Sequence, residues 1–165
     1  MKKLLAAICA LTLSALAFAA DPAEGFWISV DEKSGKETAG WQVYEENGRL
    51  YGKILSAAGV SADAKADKAK GKSYKNFMNG TDIGSLNVIG TTWIWDLRRD
   101  EPGEWEDGYI IDPNDGKRYR CEIEFHRADG KKYKEDTLEM EGKVGPIRRS
   151  QYWKKADESQ AKGLR

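Results

Sequence analysis

The sequence has 165 residues, with 27 basic and 27 acidic side chains. Such a balance gives no electrostatic case for a nucleic-acid or anionic-membrane partner, and the length bounds the chain to one domain, excluding a large multidomain enzyme or a solenoid. One histidine, His126, and two cysteines, Cys9 and Cys121, are too few for a zinc site of three or four Cys and His ligands; carboxylate-only metal sites and carboxylate-pair hydrolases need neither residue and stay open.

Met1, Lys2 and Lys3 precede an apolar run, Leu4 to Phe18, and the small-residue pattern Ala17-Phe18-Ala19. A positive start, a short apolar run and an A-x-A site make a secretory signal peptide over residues 1–19. The run is shorter than the roughly 20 residues a membrane-crossing helix needs, so no membrane span is expected. Cleavage after Ala19 predicts a periplasmic or secreted protein. Cys9 leaves with the leader; the alternative, an acylated lipoprotein cysteine, is opposed by Ile8, where a small residue belongs. Cys121 is then alone, and an internal disulfide is impossible.

Residues 20–153 read as a single β domain. Glu24 to Asp31 is the first strand. Gly40 to Glu46 and Arg49 to Ser56 are the second and third, joined by Asn47-Gly48, a hairpin turn in which both positions need positive φ. Ala57 to Lys75 is small, polar and charged, and reads as an exposed excursion that continues irregularly to Gly84, with Phe77 and Met78 able to pack back as a flap. Asn87 to Arg98 is the fourth strand and Glu106 to Asp112 the fifth. After the turn Asp112-Pro-Asn-Asp-Gly116, Lys117 to His126 is the sixth, where Tyr119, Cys121, Ile123 and Phe125 alternate with charged residues. That period of two means a half-buried antiparallel strand, with Cys121 inside and His126 outside. Asp136 to Val144 and Ile147 to Trp153 complete the set. Residues 154–165 form a polar tail that is expected to fray.

Eight short strands joined by hairpin turns suggest an all-β, antiparallel up-and-down meander. Closing it into a barrel removes both edges, and a two-sheet β-sandwich satisfies the same pattern as an alternative. An eight-stranded barrel is just wide enough to fill with side chains or to hold one small ligand. The candidate pocket residues are aromatic and apolar: Trp41 and Val43 on one face, Trp93 and Trp95 on another, with Tyr119, Phe125 and Met140. Asp112, Asn114 and Asp115 are read as turn formers rather than calcium ligands, because Gly116 stands where the EF-hand spacing needs an oxygen donor.

Three stretches, Gly25-Phe26-Trp27 with the hairpin Trp41 to Ile54, Asp107 to Tyr119, and Leu138 to Trp153, resemble the bacterial envelope family known as domain of unknown function 2147. The match leaves out Ala57 to Lys75. The resemblance implies a small exported barrel of the calycin type and no particular activity. A looser similarity to lipocalin-like proteins rests on Gly25-Phe26-Trp27. It implies an arginine on the last strand packed over the tryptophan to close one end; Arg148 and Arg149 are the candidates, and parity with Ile147 and Trp153 selects Arg149. Gly25, Trp27 and Arg149 are thus the expected closure.

No nucleophile–base pair or metal cluster is evident, so an enzyme is not expected, and no cofactor is implied. The reading is a binding module for a small, mostly apolar ligand. The alternative is a filled barrel serving as a structural or interaction module toward an envelope protein.

Overall fold

The computed structural model describes residues 20–165; the expected leader, Met1 to Ala19 with Cys9, lies outside the described residues. Eight antiparallel strands pair in chain order: β1 (Gly25–Val30), β2 (Glu37–Glu46), β3 (Arg49–Ala57), β4 (Thr92–Glu101), β5 (Glu104–Ile111), β6 (Arg118–His126), β7 (Thr137–Val144) and β8 (Ile147–Ala156). β8 pairs back onto β1, with Lys155 opposite Trp27, and the barrel is closed. The expected barrel holds and the sandwich alternative is set aside.

Local chemistry accounts for the turns. Asn47 and Gly48 both take positive φ, 53° and 76°, in the two-residue β2–β3 hairpin, whose backbone twist matches that of its strands. At the β5–β6 turn the Asp112 carboxylate accepts the Asn114 backbone N–H at 2.8 Å, and the Gly116 N–H bonds the Asp112 carbonyl at 2.7 Å. The Asp115 carboxylate accepts the Lys117 N–H at 2.9 Å, so Asp112 and Asp115 satisfy the turn's own backbone.

Alternation decides which side chains fill the lumen. Cys121, Ile123, Leu138, Met140 and Trp153 are buried and share one face through the pairs Ile123–Met140 and Leu138–Trp153. Two positions break the period of two. Asp96 and Asp107 adopt positive φ, 66° and 58°, where the strand registers shift. Asp tolerates this conformation better than most residues, and each irregularity acts as a β-bulge that re-aims its neighbours.

The segment between β3 and β4 keeps most of Ala57–Lys75 exposed, as its composition predicts, but a few small and apolar residues anchor it to the barrel. It folds back over the outer face of β4 to β6 and buries Ala66, Ala69, Phe77 and Ile83. Its alanines are small enough for close backbone approach: a Cβ on Gly116 would lie 2.7 Å from the Ala69 Cβ. Of the two residues the flap reading named, Phe77 packs back and Met78 stays exposed. Tyr74 pins the segment by donating to the Gly116 carbonyl at 2.9 Å.

The C-terminal tail is also ordered. Lys154, Lys155 and Ala156 belong to β8, and α1 (Glu158–Lys162) follows, with a capping box between Asp157 and Gln160. Ala161 is fully buried against the barrel, where the Ser56 hydroxyl donates to its carbonyl at 2.7 Å. Gly40 lets the helix approach, since a Cβ there would fall 1.8 Å from the Ala161 carbonyl oxygen. Polarity alone predicted fraying because the one apolar contact, Ala161, is a small residue on a single helical turn.

Candidate functional site

The two ends of the barrel differ. At the end holding the chain's first described residues, Trp27, Trp105 and Trp153 are buried to 1% exposure or less and fill the lumen together with Leu50, Leu97 and Leu138. The segment before β1 seals this end. The Asp21 carboxylate, buried, accepts the Trp105 indole N–H at 3.0 Å and the Gly103 N–H at 3.0 Å. Arg99 pairs with Asp21 at 3.2 Å and with Glu45 at 2.8 Å, and its guanidinium lies 4.9 Å from the Trp105 ring centroid. The Trp27 indole donates to the Ala23 carbonyl at 2.9 Å. A buried carboxylate with both oxygens occupied and a cation beside it is the form in which such burial is tolerated.

The expected closure is half present. Gly25 and Trp27 stand where the sequence placed them, but Arg149 does not reach Trp27. The cation over Trp27 is Lys155, whose Nζ sits 4.2 Å from the ring centroid and donates to the Glu24 carbonyl at 3.1 Å. Gly25 makes room for it, because a Cβ there would meet that Nζ at 2.8 Å. The parity was sound, since Arg149, Gln151, Trp153 and Lys155 all share the inward face of β8. The position along the strand was not. Arg149 lies six residues from Lys155, about 20 Å at a strand's rise per residue, and stands at the opposite end.

That opposite end is open. A cavity of about 1100 Å³ runs from the upper lumen to the mouth formed by the β1–β2, β5–β6 and β7–β8 turns. Trp41, Ile54, Ile110, Tyr119 and Met140 line its wall. Trp41 is held by two contacts: its indole donates to the Ser29 hydroxyl at 3.1 Å, and its ring stacks on Trp153 at 4.8 Å between centroids. Gln151 accepts the Trp153 indole N–H at 3.1 Å, and Gly142 leaves its place on the wall empty beside Tyr119.

Of the expected pocket residues, Trp41, Tyr119 and Met140 line the cavity. Val43 faces inward but lies below it at 1% exposure. Phe125 packs edge-on against Trp27 at 6.2 Å, at the sealed end. Trp93 and Trp95 do not face the lumen at all. Trp95 pairs with Tyr109, and Tyr109 with Arg120, both on the outer face; Phe77 of the flap covers both indoles at 6.0 and 4.6 Å. The bulge at Asp96 is the cause: it sends Trp95 outward while Leu97, two residues on, faces in against Leu50. Sequence reasoning missed Ser29, Ile54, Ile110 and Gln151 at the open end and Asp21 and Arg99 at the sealed one. The inward parity of Arg149 and Gln151, two polar residues on a lumen-facing strand, was a readable sign of a cavity rather than a core.

The groups with acid–base or metal-binding chemistry sit elsewhere. Cys121 is fully buried and unpaired, and burial pushes its thiol pKa up. His126, on the outer face, bonds the Glu139 carboxylate at 2.8 Å and stands 3.5 Å from Glu124, with its ring stacked on Tyr133 at 4.2 Å. Potential ligand atoms of Glu124, His126 and Glu139 lie within 4.8 Å of one another, but both imidazole nitrogens are already directed at carboxylates. Burial opposes ionisation of Glu139, and hydrogen bonds from Ser150, His126 and Tyr152 outweigh it and hold its carboxyl below the ordinary glutamate range.

A family model described as an uncharacterized protein conserved in bacteria, DUF2147, matches residues 25–155. The chain belongs to the DUF2147 family. Those residues run from the start of β1 to Lys155 in β8, so the family domain is the barrel itself, flap included. No curated protein matches this DUF2147 chain. Among solved structures it is similar to a protein of Helicobacter pylori, HP1028, described as belonging to the lipocalin family, with a TM-score of 0.63 and 19% identity over 86% of this chain and 88% of that one. At that identity the likeness concerns the fold, and it agrees with the closed eight-stranded barrel. Among the described residues no helix is long and apolar enough to cross a membrane.

Proposed function

We propose that this DUF2147 barrel is an exported, non-enzymatic binding protein that holds one small, mostly apolar molecule in its open end. One observation carries the reading: a cavity of about 1100 Å³ walled by Trp41, Ile54, Ile110 and Met140 above a core closed by three tryptophans. Ligand sites are concave, mostly apolar and furnished with a few polar groups that fix orientation; here those are Tyr119 and Gln151. Eight-stranded barrels of lipocalin type hold a single small ligand in this position, and the likeness to the Helicobacter pylori protein supports the comparison. Export rests on the pattern of Met1 to Ala19.

The test is native mass spectrometry of protein purified from the producing cell, paired with displacement of a neutral naphthylamine dye followed through Trp41 fluorescence. A mass adduct released by organic solvent, or saturable dye binding weakened by Met140→Trp, is the expected result. Absence of both overturns the binding reading.

A second reading has its own observation. Val144 and Ile147, on either side of the Gly145-Pro146 turn, are 47% and 56% exposed at the rim. An apolar hairpin tip supports contact with an envelope protein. Substituting both by Ser and comparing proteins captured by in-cell crosslinking tests it.

A further inference from the structure

We infer that the cavity selects a ligand ending in a carboxylate, and that Arg149 binds that group. The inference rests on the binding reading above and names its ligand class.

The placement follows from register. β7 and β8 pair Leu138 with Trp153, Met140 with Gln151 and Gly142 with Arg149. Leu138 and Trp153 are fully buried in the lumen, so alternation points Arg149 inward as well, and it lines the cavity with Met140, Gly142 and Gln151. Ser29, Ala39, Trp41, Ile54, Ile110 and Tyr119 supply the facing wall, and none of them is charged. Two charged residues of the strands line this cavity, Glu37 of β2 and Arg149 of β8, and Glu37 is paired with Lys154 at 3.8 Å.

Its neighbours do not neutralise it. Arg148, on the outer face, pairs with Glu141 at 3.3 Å, whereas Arg149 makes no ion pair among the described residues. The rim carboxylates are engaged in their own turns: Asp31 accepts from Ser34 at 2.7 Å, Asp112 from Asn114 at 2.8 Å, and Asp115 pairs with Lys117 at 3.2 Å. Gly142, opposite Arg149, contributes no side chain, and the space beside Tyr119 stays open. A guanidinium offers a planar fork of donors that matches a carboxylate in two parallel hydrogen bonds. With the apolar wall below and this fork at the mouth, the chemistry fits a single-chain apolar molecule inserted tail first, its carboxylate at Arg149 and within reach of the Tyr119 hydroxyl and the Gln151 amide.

The experiment compares decanoate with decanol, the same chain with and without the charge, as competitors for the neutral naphthylamine dye. The wild-type protein is expected to bind decanoate about tenfold more tightly than decanol, the usual scale of a charged hydrogen bond at a partly exposed site. Arg149→Gln is expected to erase that preference, read within each variant as the ratio of decanoate to decanol affinity, and Arg149→Lys to restore part of it. Equal binding of acid and alcohol by the wild type, or a preference that survives Arg149→Gln, overturns the inference and leaves the cavity reading standing. Failure of the dye and both competitors to bind overturns the cavity reading and the inference with it. Urea midpoints of the variants, expected to match the wild type because Arg149 is exposed, separate loss of binding from loss of fold.

Discussion

The ammonium of Lys155 lies 4.2 Å from the centre of the Trp27 ring and donates to the Glu24 carbonyl, which ties the last strand to the first across the seam that closes the barrel. Strand pairing there extends only from Phe26–Ala156 to Ile28–Lys154, so this side-chain contact supports a short ladder. Lys155→Ala is expected to destabilise the protein by about 1 kcal/mol, the scale of a partly desolvated cation–ring contact. Arg149→Ala and Arg148→Ala should each change stability by less than half of that. Urea unfolding followed by tryptophan fluorescence decides it, and an Arg149→Ala cost larger than that of Lys155→Ala would reverse the assignment of the two ends.

Gly40 and Ala161 make a second paired prediction. A methyl group at Gly40 would collide with the Ala161 carbonyl, so Gly40→Ala should displace α1 and cost about 1–3 kcal/mol, the range for forcing extra volume into a packed contact. In a chain ending at Asp157, where the obstacle is gone, the same substitution should cost much less. Equal costs in the two backgrounds would mean that α1 does not dock on β2.

Cys121 is buried on the inward face of β6 and its thiol pKa is raised by burial. The thiolate is the reactive form. The folded protein should therefore resist a thiol reagent at neutral pH and label fully in denaturant. Rapid labelling of native protein would reverse the inward assignment of Tyr119, Ile123 and Phe125 together with it.

Glu139 gives the pH prediction. Its folded pKa is lowered from the value of 4.5, so its contribution is present above the unfolded value and is lost as pH falls through the lower, folded one. Glu139→Gln should therefore unfold more easily than wild type at about pH 6 and approach it as pH falls below about 4. Ser150 and Tyr152 on β8 and His126 on β6 are the partners that set the shift. A constant difference between the two proteins across this range would show that the carboxylate's charge is not what stabilises the contact.

Hairpins and faces were legible without a structure because they depend on neighbours in the chain. Asn47-Gly48 selects a two-residue turn whatever surrounds it, and the strict alternation from Tyr119 to Phe125 leaves β6 one apolar face to bury. The same logic correctly turned Arg149 inward. It could not say at which height, because the register of β8 against β1 joins residues more than a hundred positions apart and is decided by closure of the whole sheet. Nor could it place Trp93 and Trp95: one residue in positive φ, Asp96, inserts a bulge and reverses the parity on which their inward assignment stood. The flap and α1 were hidden for a related reason. Their anchors, Ala66, Ala69 and Ala161, are too small to register as apolar signals, and they bury only because Gly116 and Gly40 stand opposite in the folded barrel. The cavity itself is a difference between the space the strands enclose and the volume of the side chains that point into it, and that difference exists only once the barrel is closed.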